Sequence, residues 1–213
     1  GVNVYGGFAG TETDLDDRNI AEHPTYLDGN HAQRVLYQNE PLDESRPAIW
    51  DGFVIRNGYI GSNAYYDYPV SMTAHPRSSD AYNLQQVHGA GAALMDNVTL
   101  SNTAFEGNRI ARQSDSNMAG QVKGTALSIY GGHLDHVTIA YDTTEYVSSA
   151  SSMANTYLYA INTQIDSSNF NHNIGKIALY GCTVSASRFE YNQVRTELPA
   201  MDDLNEAQLY VDA

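Results

Sequence analysis

Cysteine is nearly absent. Cys182 is the one thiol in 213 residues, so no internal disulfide can staple the chain, and no zinc-ligand pattern surrounds it. A lone thiol of this kind is expected inside, as a small inert apolar group. Lysine is almost as scarce: Lys123 and Lys176 are the only two, and 11 basic residues stand against 25 acidic ones for a net charge of −14. Phosphate binding needs clustered Lys and Arg, so this balance excludes nucleic acid as a partner. No apolar run approaches the ~20 residues a helix needs to cross a bilayer, so no direct membrane insertion is expected. No basic-then-apolar start reads as a signal peptide either. The sequence opens in strand-like VNVYGGF and closes in strand-like AQLYVDA, so further domains of a longer parent chain are expected as neighbours. H-E-x-x-H, G-x-S-x-G, phosphate-loop and dinucleotide fingerprints are all missing, which leaves a nucleophilic enzyme without support.

What is present is a repeat. Five segments align without gaps: WDGFVIRNG (50–58), LSNTAFEGN (100–108), LDHVTIAYD (134–142), IDSSNFNHN (165–173) and VSASRFEYN (184–192). Each starts on an apolar residue, carries a second one five positions on, and ends three later in Gly, Asn or Asp. In a plain strand, positions i and i+5 face opposite sides, so both can be buried only if the chain turns between them. The turn column reads Gly52, Asn102, His136, Ser167, Ala186. Gly and Asn suit the left-handed conformation of a tight bend; the other three suit it less well. The last column, Gly58, Asn108, Asp142, Asn173, Asn192, reads as a second corner whose side-chain amides bond to one another and to the backbone. Apolar anchors at Leu94, Leu127, Leu158 and Leu179 precede four of the copies.

A chain that bends twice per copy between short strands is a coil. Its turns stack at about 4.8 Å, and each buries its inward residues on the next. The fold class expected is all-β: one domain over 1–213, a single-stranded right-handed parallel β-helix of about six to seven rungs if each needs ~20 residues. The expected interior is Leu94, Leu100, Phe105, Leu127, Leu134, Ile139, Leu158, Ile165, Phe170, Leu179, Cys182, Val184 and Phe189. Residues 59–90, 109–123, 143–156 and 193–206 all follow the second corner, so loop insertions should leave the coil on one side.

GAAL (91–94) before FEGN, and GTAL (124–127) before IAYD, resemble the paired G-G-A-[ILV] and F-x-x-N repeat of the chlamydial polymorphic outer membrane proteins. The later copies keep F-x-x-N without the glycine half. The opening YGGFAGTETDLDDRN with HPTYLDGN is similar to the entry segment of right-handed parallel β-helices on bacterial surfaces. The resemblance implies export, an extracellular or cell-surface location, and a role more often adhesive or structural than enzymatic. It carries over no catalytic residue.

Candidate sites follow from the columns. The outward column Asp51, Ser101, Asp135, Asp166, Ser185 places Asp135 and Asp166 one strand spacing apart. Such a pair can repel, share a proton or hold a cation. It is therefore a candidate Ca²⁺ site, the one cofactor considered, or a carboxylate pair for glycoside hydrolysis, which needs ~5–9.5 Å between groups. A merely solvated acidic stripe would do neither. Asp14, Asp16 and Asp17 fit no EF-hand spacing and read as a turn paired with Arg18. Tyrosine is abundant at 16 residues, and the longest insertion gathers Tyr65, Tyr66, Asp67 and Tyr68. Rings beside a carboxylate can stack on a sugar while the acid accepts hydroxyl hydrogen bonds; packing of that loop on its own coil is the plainer role. Two function classes remain. One is a non-enzymatic surface or secreted module binding glycan or protein, or serving as a stalk. The other is a polysaccharide-active enzyme, a hydrolase rather than a uronate lyase, since a lyase needs a basic groove that this composition does not provide.

Overall fold

The computed structural model describes residues 1–38, 42–62, 88–111, 122–145, 155–195, 204–206 and 209–212. Apart from one 3₁₀ turn at Leu15–Asp17, the regular structure among them is all strand. Strands stack parallel in three sheets. The first runs in spatial order Asn3–Tyr5, Ala48–Asp51, Ala92–Ser101, Leu127–Asp135, Thr156–Ile161, Lys176–Tyr180 and Leu209–Asp212, with Leu36–Tyr37, Gln164–Asp166 and Thr183–Ser185 joining it at the side. The second stacks Thr25–Asp28, Phe53–Arg56, Ala104–Glu106, Thr138–Ala140, Asn169–Asn171 and Arg188–Glu190; the third stacks Tyr59–Ile60, Arg109–Ile110 and Thr143–Thr144. From Ala92 to Thr144 the chain visits first, second and third sheet in that order, twice. Strictly sequential visits with parallel pairing are consistent with a parallel β-solenoid. One antiparallel pair, Gln193–Arg195 with Leu204–Glu206, breaks the pattern at the far end.

The aligned columns are the register of the sheets. Trp50, Leu100, Leu134, Ile165 and Val184 are successive partners. So are Ile55, Phe105, Ile139, Phe170 and Phe189 in the second sheet, with Leu27 preceding them. Phe105, Ile139 and Phe170 are fully buried, and the Phe170 and Phe189 rings stack at 4.7 Å. Of the expected interior, Leu94, Leu100, Leu127, Leu134, Leu158, Ile165 and Leu179 are also buried. Val184 is not: it is 41% exposed, because its strand pairs with Gln164–Asp166 on one side and with no described strand on the other. Phe189 lies at the same end of the second sheet and is half-buried, as is Cys182. Burial still pushes the Cys182 thiol pKa up, as expected of an inert packed sulfur.

All five residues of the turn column adopt positive φ, Gly52 at 84° and Asn102, His136, Ser167 and Ala186 between 46° and 55°. Two further left-handed columns exist. Asn97, Gly131, Asn162 and Gly181 bend the first sheet in its middle, where a one-residue register shift separates Tyr130 from Gly132. The upstream leucines form two columns two residues apart: Leu127 pairs with Leu158, whereas Leu94 is in register with Ile129 and Leu179 with Ala160. GAAL and GTAL are therefore not equivalent, since Leu127 lies opposite Ala92 rather than Leu94. At Gly91 a Cβ would come within 2.4 Å of the Ala126 carbonyl, so the close approach of the next strand demands glycine.

Candidate functional site

The third left-handed column lies where the chain leaves the second sheet, one residue before the position expected for the corner: Asn57, Gly107, Tyr141, His172 and Tyr191, with φ from 53° to 65°. Behind it runs the terminal column, buried at Asn108, Asp142, Asn173 and Asn192. The N–H of Gly58 donates to Asn108 Oδ1 (2.8 Å), that of Asn108 to Asp142 Oδ1 (2.7 Å), that of Asp142 to Asn173 Oδ1 (3.0 Å), and that of Asn173 to Asn192 Oδ1 (3.1 Å). In return Asn108 Nδ2 donates to the Ile55 carbonyl, Asn173 Nδ2 to that of Ile139 and Asn192 Nδ2 to that of Phe170. Asp142 breaks the series, having no Nδ2. Its Oδ2 is buried without a partner, and desolvation, aided by Glu106, pushes the carboxyl up to about 8 despite the bonds from Asn108.

The corner residues themselves point outward. Tyr141 is 64% exposed, Tyr191 72%, and His172 is exposed between them. The three rings stack, Tyr141 on His172 at 5.3 Å and His172 on Tyr191 at 5.1 Å, within 30° of parallel. His172 Nδ1 is bonded to Asn171 Oδ1 (2.9 Å). A left-handed bend costs a non-Gly residue roughly 1–2 kcal/mol, and bulky side chains there are outliers. Asn57 and Gly107 show the cheap solution in the same column. Stacking returns ~0.5–1.5 kcal/mol per pair, and core burial returns nothing to rings this exposed.

The acidic column holds as read: Asp51, Ser101, Asp135, Asp166 and Ser185 are successive register partners. Asp135 and Asp166 are direct neighbours across one strand spacing, yet each is engaged elsewhere. Asp135 Oδ1 contacts His136 Nδ1 at 2.8 Å. Asp166 accepts from Ser185 Oγ and Gln164 Nε2 and meets His133 Nε2 at 2.9 Å. The Ser185 and Gln164 bonds, with that of His133, hold the Asp166 carboxyl below the usual range. His133 and His136, three apart on the chain, thus each reach a different carboxylate. Asp51 is bound by Asn102 Nδ2 (2.9 Å) and by Arg18 (2.6 Å), so Arg18 pairs with the sheet and not with the acids of its own turn. Among the described residues no three His, Cys, Asp or Glu side chains cluster in a way that would hold a metal ion.

A second apolar cluster covers the outside of the first sheet: Ala93, Met95, Tyr130, Tyr159 and Ala178 are buried there, with Tyr180 packed alongside. Lys123 Nζ lies 4.9 Å over the Tyr159 ring and His88 packs edge-on to it. His88 is fully buried with neither ring nitrogen bonded, and desolvation, with Lys123 and Arg34 nearby, pulls its pKa well down. Among the described residues no helix is long and apolar enough to cross a membrane.

Tyr65, Tyr66, Asp67 and Tyr68 lie outside the described residues, as does most of each insertion. The exposed ladder escaped the sequence reading although its signal was present: IAYD, FNHN and FEYN each carry an aromatic ring just before the terminal column. Compared with protein-family models, curated proteins and solved structures, the chain gives no match.

Proposed function

We propose that this chain is a non-enzymatic recognition module of an exported protein, a right-handed parallel β-helix at a bacterial surface or secreted, which binds glycan through its exposed Tyr141–His172–Tyr191 ladder. Handedness follows from the general rule that parallel strands of one sheet are joined by right-handed crossovers. The observation that carries the reading is the ladder itself. Three ring-bearing residues occupy strained left-handed corners on successive strands of the coil, exposed to solvent, where Asn or Gly would serve the fold better. Stacked aromatic faces at a polar, acidic surface suit sugar rings, whose axial C–H faces are apolar and whose edges are polar. The surface repeat resembled by FEGN, FNHN and FEYN points the same way, and Tyr65, Tyr66, Asp67 and Tyr68 belong to the same reading as a second contact. A broad glycan array tests it: retention lost on replacing Tyr141 and Tyr191 with Asn supports the reading. Retention that ignores both changes refutes the ladder as the binding surface, and no retention at all leaves a stalk or a protein-binding surface.

One observation favours a second reading, a polysaccharide hydrolase using Asp135 and Asp166: their adjacency in register, one strand spacing apart in the backbone, where a retaining pair needs ~5–5.5 Å between carboxyls. Such an enzyme needs one carboxyl protonated as the acid and the other ionised as the nucleophile; the hydrogen bonds of Asp166 favour its ionised form and suit it only to the second part, so Asp135 would have to supply the proton. Cleavage of a retained sugar, lost in Asp135→Asn, would establish it. A Ca²⁺ ion bridging the pair would appear as retention that requires Ca²⁺.

A further inference from the structure

The ladder stops abruptly on one side. Reading along the coil, the corner column runs Asn57, Gly107, Tyr141, His172, Tyr191, and the residues just before its first three members, Arg56, Glu106 and the buried Ala140, are direct register partners. His172 covers one face of Tyr141. The other face looks toward the rung of Gly107, which has no side chain. A Cβ built there would touch nothing nearer than Asn57 Oδ1 at 3.5 Å. Two strand spacings, about 9.6 Å, separate Asn57 from Tyr141, so the gap above Gly107 is one ring thick. The rings beyond it repeat at 5.1–5.3 Å.

We infer that this gap is a saccharide subsite in which one neutral pyranose ring takes the place of the missing aromatic, its apolar face on the free face of Tyr141 and Gly107 beneath it. The inference rests on the reading of the ladder as a glycan surface, and it adds the position and the class of sugar. Position comes from the vacancy. Gly107 is left-handed (φ 65°), and the four non-Gly residues of the column manage that conformation, so backbone geometry alone does not require glycine here. Absence of a side chain is what distinguishes this rung. Class comes from the flanks. Asn57 donates its Nδ2 to both oxygens of Asp28, at 3.0 and 3.2 Å, which turns Oδ1 toward the gap as an acceptor. Glu106 is exposed on the strand that leads into Gly107. Arg109, two residues beyond, is exposed and already paired with Glu145. Arg56, in register with Glu106, is likewise paired, with Asp28. Among the described residues the flanks thus offer acceptors and no unpaired cation, which suits sugar hydroxyls and rejects a uronate or sialate, and the net charge of −14 reinforces that rejection.

The experiment uses an array of neutral and acidic oligosaccharides, then calorimetric titration of the best-retained neutral one into wild type, G107N, Y141N and Y191N. Asn tolerates the left-handed corner, so G107N fills the gap with little backbone strain; circular dichroism verifies that each variant is folded. The subsite predicts at least a tenfold loss of affinity in both G107N and Y141N, and less than threefold in Y191N at the far end of the ladder. Wild-type binding that G107N leaves unchanged overturns the subsite while the glycan reading stands. Preference for acidic sugars overturns the assigned class. No retention of any sugar by folded wild type overturns both.

Discussion

Replacing Asp142 with Asn is expected to stabilise the fold at neutral pH, although the position is fully buried. Every other member of the ladder past Gly58 is an amide that accepts through Oδ1 and donates through Nδ2 to the carbonyl three positions earlier in the neighbouring segment. By that rule the acceptor for residue 142 is the Phe105 carbonyl, and an ionised carboxylate would set a negative oxygen against it. A protonated carboxyl can donate there; the price is holding a proton that the unfolded chain gives up. Burial moves the group from 3.8 to about 8. Below 3.8 both states are protonated and full stability is present. As pH rises, the unfolded chain ionises first and stability drains away until pH passes about 8. Roughly three pH units lie between 3.8 and neutrality, at ~1.4 kcal/mol each, so about 4 kcal/mol is lost by pH 7.

Asn carries no such loss and supplies the missing N–H, so D142N should gain up to about 4 kcal/mol at pH 7. Urea unfolding at pH 5, 6, 7 and 8, followed by far-ultraviolet circular dichroism, measures this directly. The other carboxylates contribute equally to both proteins and cancel in the difference. That difference should widen by about 3 kcal/mol between pH 5 and pH 7 and flatten near pH 8. Glu106 is the neighbouring charge that raises Asp142 further, so E106Q should shift the plateau to lower pH. A difference that does not change with pH, or a D142N protein less stable at pH 7, would refute the protonated ladder.

Phe170→Ala should cost about 3–5 kcal/mol in the same assay, because the ring is fully buried between Ile139 and the stacked Phe189; a cost under 1 kcal/mol would mean the column is loosely packed. Asn173→Ala strands the Asp142 N–H and the Ile139 carbonyl, and about 2–5 kcal/mol is expected from two unpaired buried groups. Asn173→Asp should behave like Asp142 and add a second pH-dependent loss above pH 4. Asp135→Asn should change stability by less than about 0.5 kcal/mol, since its exposed contact with His136 is worth little. Loss of a Ca²⁺-dependent rise in melting temperature in that variant would instead reveal a cation bound by Asp135 and Asp166.

Much of this architecture was legible because the repeat is written at fixed spacing in residues that have few alternatives. Apolar residues at i and i+5 demanded a turn between them, and the turn is there at Gly52, Asn102, His136, Ser167 and Ala186. His, Ser and Ala are poor left-handed residues, so at those three positions the register of the stack overrode local preference. The acidic column followed from the same alignment and needed no further information. What stayed hidden depends on residues the alignment did not reach. The middle bend of the first sheet falls at Asn97 and Gly131, whose segments differ in length by one residue. No gapless comparison finds such a shift. Val184 was assigned to the core on periodicity, which says where a side chain points and not whether another strand lies over it.

The ladder of rings is the case in which the two kinds of information have to be combined. Sequence alone shows Tyr141, His172 and Tyr191 at one repeat position, where an aromatic is unremarkable in a strand-rich chain. Structure alone shows three stacked exposed rings, which a surface can carry for no purpose. Together they show bulky residues kept at corners that penalise them, beside a position in the same column where Gly107 leaves room for one more ring. Filling that room and emptying the neighbouring one should therefore change stability little and binding alike. In G107N the stiffer unfolded chain is offset by the strain of a left-handed Asn, and in Y141N the lost stacking pair is offset by relief of the corner, each leaving stability within about 1 kcal/mol of wild type, whereas both should abolish the same sugar contact. If the two variants instead moved stability and binding in parallel, the ladder would be a staple of the coil and nothing more.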